Sequence, residues 1–372
     1  MSKKVVIISY ATFPGLAPRN LRTHELAKEL VKQGNDVTLY VLKGEYDYTQ
    51  YELETGIRVR SLGNTYFFKY DPNKGISLNF TMKVLKKLFA NFLEFPFIEL
   101  MLNTFNVLKF EKKIDLLITI AIPYPLHWGA ALHKAIYPYK YKHTIWVADC
   151  GDPYMGNSFH KKPFYFKYLE KWTFNKVDFI SIPIKEAKAG YYPEFHKKIK
   201  VIPQGFNFSN VYTIDEYKKN DVPTFIYAGT FYEKLRDPRP FLDYLITLEC
   251  DFKFIVYTKN LNFLEEYKDK LYGKLEVYSY IPREELIFKM SQADFLLNLD
   301  NVSTVHSPSK LIDYALSKRP ILNINTNIDI DRKLIREFLS GDYKKQLYIQ
   351  NISQYNISNV ARNFLETLDE KK

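Results

Sequence analysis

From Val5 the chain runs through an unbroken apolar stretch, VVIIS, with no polar alternation. A strand covered on both faces reads this way, because each side meets a packed layer. The loop YATFPGLAPRN (10–20) follows. Then LRTHELAKELVKQG places Leu21, Leu26, Leu30 and Val31 on one helical face, and Gly34 closes the helix. DVTLYVL is the next strand, so this opening predicts a strand–helix–strand unit of a parallel sheet. The alternation continues with strands at 115–121, 143–149 and 178–184, helices at 126–136 and 163–177, and a strand in KIKVIPQGF (198–206) that ends at Pro203-Gln204-Gly205.

Residues 207–223 are polar and end at Pro223, which reads as a linker. A second series follows, with strands at 224–229, 253–258, 275–281, 295–300 and 319–324 and helices between them. The closing stretch carries Ile357, Val360, Ala361, Phe364, Leu365 and Leu368 on one stripe. No strand follows it, so it is expected to pack sideways onto existing structure. The predicted class is α/β, with two Rossmann-like, doubly wound parallel-sheet domains facing a cleft: 1–206, then 207–351, with a final helix in 352–372. In such sheets ligands bind beyond the carboxyl ends of the strands, so the loops after each strand are the places to search.

Composition narrows the partners. The net charge of +11 suits a phosphorylated ligand, a polyanion or an anionic membrane surface. The lysines are scattered rather than clustered, which argues against nucleic acid. Aromatic residues make up 16%, enough for surfaces that hold rings. Two cysteines, Cys150 and Cys250, build neither a disulfide framework nor a zinc site. The N-terminus enters a strand without a leader pattern, so a cytoplasmic protein is expected. The most apolar long stretch, 88–108, is interrupted by Asn91, Glu94, Pro96, Glu99 and Asn103 and is not expected to span a bilayer. Just before it, MKVLKKLFANFL (82–93) sets Met82, Leu85, Leu88, Phe89 and Phe92 beside Lys83, Lys86 and Lys87. That helix either lies on an anionic membrane, making the protein peripheral on its inner face, or covers the first sheet.

The strongest chemical signal is HSPSKLIDYALSKRPIL (306–322). Ser307 and Pro308 start a helix as N-cap and first residue, which puts Lys310 where the helix dipole disfavours a cation. A phosphate held by the free amides around Ser307, Pro308 and Ser309 removes that conflict, and Lys310 then adds charge to the same oxygens. Asp313, one turn on, suits ribose hydroxyls; the plainer alternative is a solvated Lys310–Asp313 pair. In YAGTFYEKLRDPR (227–239) Gly229 lets backbone approach a ligand, with Arg236 preferred and Lys234 second for a diphosphate. In DCGDPYMGN (149–157), Asp149 or Asp152 could hold an acceptor hydroxyl or act as a base; Asx-turn or capping roles are the alternative. Gly15, Arg19, His24, Glu25 and His127 lie where a substrate could be touched, though a helical histidine is more often structural.

Taken together these residues resemble the retaining glycosyltransferases of the GT-B fold, especially the family-four group and its relatives in bacterial surface-polysaccharide synthesis. RTHELAKELVKQGNDVTLYV is similar to that family's first helix and second strand. ADCGDPYMGN is similar to its D-x-R-D-x-W segment, with Gly151 in place of the Arg. VIPQGFN resembles its I-P-N-G-x-D hinge. SPSKLIDYALSKRPIL is similar to its donor-binding helix, with Asp313 in the place of the ribose-binding Glu, although no acid stands near Val305. The resemblance implies a hexosyl-transferring enzyme (EC 2.4) that needs no metal and no other cofactor, the nucleotide-sugar being its substrate. Its second domain would bind a nucleotide-sugar through Gly229, Thr230, Lys234, Arg236, the loop at Ile281 and the 307–313 helix start. Its first domain would bind a saccharide or polyprenyl-linked acceptor near Gly15, Arg19 and His127, with Asp152 and Asp149 at the chemistry and the last helix packed back on it. A GT-B nucleotide-sugar epimerase and a non-catalytic nucleotide-sugar-binding partner are the alternatives.

Overall fold

The computed structural model describes residues 2–15, 17–157, 161–233, 236–300, 309–325 and 330–370. The chain divides into two compact units, residues 1–207 with 354–372, and residues 208–353.

In the first unit the strands are β1 (Lys4–Ile8), β2 (Asp36–Val41), β3 (Arg58–Ser61), a small antiparallel hairpin of β4 (Lys69–Asp71) and β5 (Gly75–Ser77), then β6 (Leu116–Ile120), β7 (Ile145–Asp149), β8 (Phe179–Ile182) and β9 (Ile199–Val201). Seven of them form a parallel sheet in the order β3-β2-β1-β6-β7-β8-β9. The helices are α1 (Pro18–Lys32), α2 (Thr49–Thr55), α3 (Phe80–Leu93), α4 (Glu99–Phe110), α5 (Pro125–Ile136) and α6 (Phe166–Lys176). The alternation of side chains along β1 assigns its two layers. Val5 and Ile7 join Leu26 and Leu30 of α1 on one face, whereas Val6 and Ile8 join Leu100, Trp128 and Phe174 on the other.

The second unit holds β10 (Thr224–Ala228), β11 (Lys253–Tyr257), β12 (Leu275–Tyr278), β13 (Phe295–Leu299) and β14 (Ile321–Ile324), parallel in the order β12-β11-β10-β13-β14. Its helices are α7 (Arg239–Ile246), α8 (Glu265–Lys270), α9 (Arg283–Ser291), α10 (Ser309–Leu316) and α11 (Arg332–Ser340). Its core is aromatic: the Phe225 ring stacks between Phe254 at 4.6 Å and Phe295 at 4.8 Å, one from each neighbouring strand. The last helix, α12 (Ile357–Glu366), belongs to the first unit. It buries Ile357, Val360, Ala361 and Phe364 in the layer that holds α1.

Several boundaries differ from the sequence expectation. The strand expected within 198–206, ending at Pro203-Gln204-Gly205, covers Ile199–Val201 and stops short of Pro203, which lacks the N–H a ladder needs. The strand expected to reach Ile281 ends at Tyr278, five residues before α9 begins at Arg283 behind its N-cap Pro282. The apolar stretch 88–108 is broken at Glu94, which adopts a left-handed conformation at φ 53° between α3 and α4. Among the described residues no helix is long and apolar enough to cross a membrane. Helix α3 buries none of its side chains, so it does not serve as a cover for the sheet core.

Candidate functional site

In the second unit the features meet around the carboxyl end of β10. Gly229 follows that strand at φ 151°, a conformation in which a side chain is strained. A Cβ there would lie 3.3 Å from the Tyr227 hydroxyl and 3.8 Å from the Lys310 side chain. Thr230 is half-buried, and its carbonyl accepts from the Tyr227 hydroxyl at 3.3 Å. Beyond it the chain doubles back: the Arg236 N–H donates to the Tyr232 carbonyl at 2.8 Å. Lys234 lies outside the described residues, as do Ser307 and Pro308. Ser309 is the first residue of α10.

Lys310 is the second residue of α10. Its ammonium lies 4.8 Å from the centre of the Tyr227 ring and 5.9 Å from that of Tyr314. It is buried, and among the described residues it has no hydrogen-bond partner. Burial first, and then the positive charge of Arg236, lower its pKa to about 7, with Asp300 partly opposing both. A cation desolvated in this way is costly unless an anion joins it. Tyr314 fixes the other side of this helix, donating to the Leu297 carbonyl at 3.1 Å and accepting from the Ala228 N–H at 2.9 Å.

Asp313 does not pair with Lys310. Arg283 Nε donates to its Oδ1 at 2.8 Å and Nη2 pairs by charge with the same oxygen at 2.7 Å, so Oδ2 carries neither contact. Burial raises the Asp313 pKa, and Arg283 works against that rise. Ile281 is half-buried two residues before this arginine. Arg283 was not singled out from sequence, yet a signal exists: it opens α9, where the dipole disfavours a cation, as Lys310 does in α10.

In the first unit the carboxyl end of β7 carries Asp149, Gly151 and Asp152. Asp149 is 1% exposed and held on all sides. Arg22 grips it as a fork, Nε to Oδ2 at 2.9 Å and Nη2 to Oδ1 at 2.7 Å, and Ser181 donates to Oδ1 at 2.6 Å. Burial pushes the Asp149 pKa up, but Arg22 and the other donors outweigh it and the net shift is downward. Arg22 also donates to the Ile202 and Pro203 carbonyls, and its guanidinium lies 5.4 Å from the Phe364 ring of α12. A permanently paired carboxylate of this kind positions its surroundings; it is poorly suited to take a proton. Arg22 went unremarked in the sequence because it reads as polar. Its spacing of four from Leu26, and again to Leu30, is the cue that it shares their buried face.

Gly151 has a specific reason. The space a Cβ would take lies 1.2 Å from Nη2 of Arg19. The Arg19 guanidinium, 3.8 Å from Asp149, therefore lies against the position where the similar family motif has its own Arg. Asp152 is half-buried; its carbonyl accepts from the Tyr124 hydroxyl at 2.7 Å. Among the described residues its carboxylate has no polar partner, so of the two acids it is the one available to a ligand. Gly15 sits in a closed loop, where a Cβ would meet the Asn20 side chain at 1.8 Å.

His127 is fully buried. Trp146 Nε1 donates to the Thr119 hydroxyl at 2.9 Å, so the single Thr119 proton is left for His127 Nδ1 at 2.7 Å. That leaves Nε2–H directed at Cys150 Sγ, 3.5 Å away. The ring reaches no surface here, which is the structural role its helical position also allowed. Burial lowers its pKa to about 3. The unfolded chain, with a His pKa near 6.5, therefore binds more protons than the folded one between those values, and stability falls as pH falls through that window. Acid unfolding is expected to steepen by about 1.4 kcal/mol per pH unit below roughly pH 6.5, and His127→Gln to remove that slope. Denaturant titrations from neutral pH to pH 4 measure it.

No protein-family model matches the chain, and none of the curated proteins matches it. Solved structures do. A glycosyltransferase from Rickettsia africae superposes with a TM-score of 0.65 at 14% identity, covering 99% of this chain and 98% of that one. The lipopolysaccharide outer core galactosyltransferase WaaB gives 0.61 at 12% identity, covering 99% and 100%. A putative UDP-N-acetylglucosamine 2-epimerase from Listeria monocytogenes gives 0.51 at 12% identity, covering 100% and 97%. With its two parallel Rossmann-like sheets the chain has the GT-B fold. At these identities the likeness establishes the fold alone.

Proposed function

We propose that the protein is a glycosyltransferase that moves a sugar from a nucleotide-diphosphate donor to a saccharide or lipid-linked acceptor in cell-surface polysaccharide synthesis. The observation that carries this reading is the buried Lys310 ammonium, with no hydrogen-bond partner among the described residues, at the start of α10 and beside Gly229. An anionic diphosphate at that place is held by the helix amides, Lys310 and Arg236, and the same groups stabilise the charge that develops on it as it leaves. These cations make a metal ion unnecessary for that task. Asp313 Oδ2 serves the ribose, with Arg283 fixing its orientation. The donor belongs to the second unit and the acceptor to the first, where Asp152 is the preferred group for an acceptor hydroxyl and Asp149 orients Arg19 and Arg22. The likeness of the 306–322 segment to family-four enzymes supports a retaining outcome.

Nuclear magnetic resonance of UDP-, GDP- and ADP-sugars with the protein tests the reading. Transfer releases the nucleoside diphosphate, and the sugar appears on the acceptor with its anomeric configuration kept. The likeness to a 2-epimerase favours one other reading. Inversion at C2 of a free nucleotide-sugar, with no acceptor present, would support the epimerase. Binding without turnover of any donor would support a nucleotide-sugar-binding partner. Asp152→Asn is expected to leave nucleotide affinity unchanged in calorimetry while lowering transfer about a hundredfold.

A further inference from the structure

Helix α3 presents an apolar ridge that none of the described residues of its own unit covers. Phe80, Val84, Leu88 and Phe92 follow one another at intervals of four residues, so they line up along the helix. They are 82%, 45%, 56% and 55% exposed. Lys83 and Lys87 form the adjoining row, Lys86 lies beyond them, and no acidic residue occurs between Phe80 and Leu93.

The helix is nevertheless fixed at both ends. The Asn79 side chain caps it, accepting from the Met82 N–H at 2.9 Å. At the other end the Glu94 carboxylate accepts from the Tyr154 hydroxyl at 2.9 Å and pairs with Lys162. The Tyr165 hydroxyl donates to the Phe92 carbonyl. The segment that reaches over in this way continues the same chemistry: Lys161, Lys162 and Lys167 accompany Phe164, which is 77% exposed, and no acid occurs before Glu170. A helix of fourteen residues that buries no side chain gains little from packing. Here the ends are anchored and the apolar ridge is left to meet a partner.

The charge selects that partner. Pairing of α3 with its copy in a second molecule would bring Lys83, Lys86 and Lys87 against their own counterparts. An anionic lipid surface satisfies both features at once: rings and aliphatic chains enter the acyl boundary while the lysines extend to the headgroups. We infer that α3, with Phe164 beside its carboxyl end, docks the protein on a bilayer carrying negatively charged headgroups. This assignment stands apart from the donor reading and survives if that reading fails.

Flotation of the full chain with vesicles tests it. Binding is expected to vesicles with about 30 mol% phosphatidylglycerol in phosphatidylcholine, to be weak with phosphatidylcholine alone, and to fall at about 0.5 M salt. Lys83→Gln/Lys86→Gln/Lys87→Gln is expected to lower partitioning on the order of a hundredfold. Leu88→Gln/Phe92→Gln is expected to lower it at least about tenfold at unchanged melting temperature. Failure of the parent protein to float with the anionic vesicles, or unchanged partitioning of both variants, would overturn the assignment. So would a dimer in sedimentation velocity that Leu88→Gln/Phe92→Gln dissolves, since the ridge would then be a self-interface.

Discussion

Lys310→Met is expected to make the empty protein more stable and the nucleotide-bound protein weaker. Folding takes this ammonium out of water, and its pKa falls from the ordinary lysine value to about 7. The sign follows from proton linkage. The unfolded chain keeps its lysine protonated up to about pH 10.4, so between pH 7 and that value it binds more protons than the folded chain, and folding bears a cost that is complete below pH 7. Methionine keeps most of the volume and removes that cost, so the melting temperature should rise. UDP affinity should fall by about a hundredfold, the loss of a charge-assisted contact with phosphate oxygens.

Binding should also take up protons. At pH 8 the ammonium of the empty protein is mostly neutral, and a diphosphate would draw up to about one proton onto it; at pH 6 little uptake remains. Calorimetry in buffers of different ionisation enthalpy measures this directly, and affinity should weaken by up to about tenfold per pH unit above pH 7. Unchanged UDP affinity in Lys310→Met, with no proton uptake in the parent, would remove the phosphate role from this residue.

Arg22→Met is expected to cost the first unit about 3–5 kcal/mol, because it leaves Asp149 charged and buried with its main partner gone. That corresponds to a fall in melting temperature of roughly 10 °C. The Ile202 and Pro203 carbonyls lose a donor as well, and Phe364 of α12 loses the cation beside its ring. Asp149→Asn should cost less, since Ser181 and one arm of the fork can still bond an amide. In a double-mutant cycle with Arg22→Met the two losses should be strongly non-additive. The stability contributed by Asp149 is complete above the ordinary carboxylate pKa and is lost as pH falls below it, because its folded pKa is the lower one. Additive losses would mean that the pair acts independently.

These effects show what was legible in the chain. Continuous apolar runs such as VVIIS and DLLITIA identify fully buried strands, because each of their faces meets a layer of helices. The stripe Ile357–Val360–Ala361–Phe364 identifies a helix with one covered face. Lys310 is conspicuous in the sequence itself, because a cation in the first turn of a helix opposes the dipole whatever surrounds it. All of these are local, a matter of residues a few positions apart.

What the tertiary structure alone decided concerns pairs distant in sequence. Asp149 and Asp152 look alike in DCGDPYMGN, yet Arg22, 127 positions away, closes on the first and leaves the second without a polar partner among the described residues. Asp313 looks like a partner for Lys310 and is instead taken by Arg283, 30 positions away. His127 could have faced a substrate, and Thr119 and Cys150 enclose it. The pattern of apolar and polar positions determined the strands, the helices and two parallel sheets, since periodicity is a property of neighbours. Which charged group is neutralised and which is left for a ligand depended on burial and on partners brought together by folding, because the energy of a charge is set by what surrounds it in space.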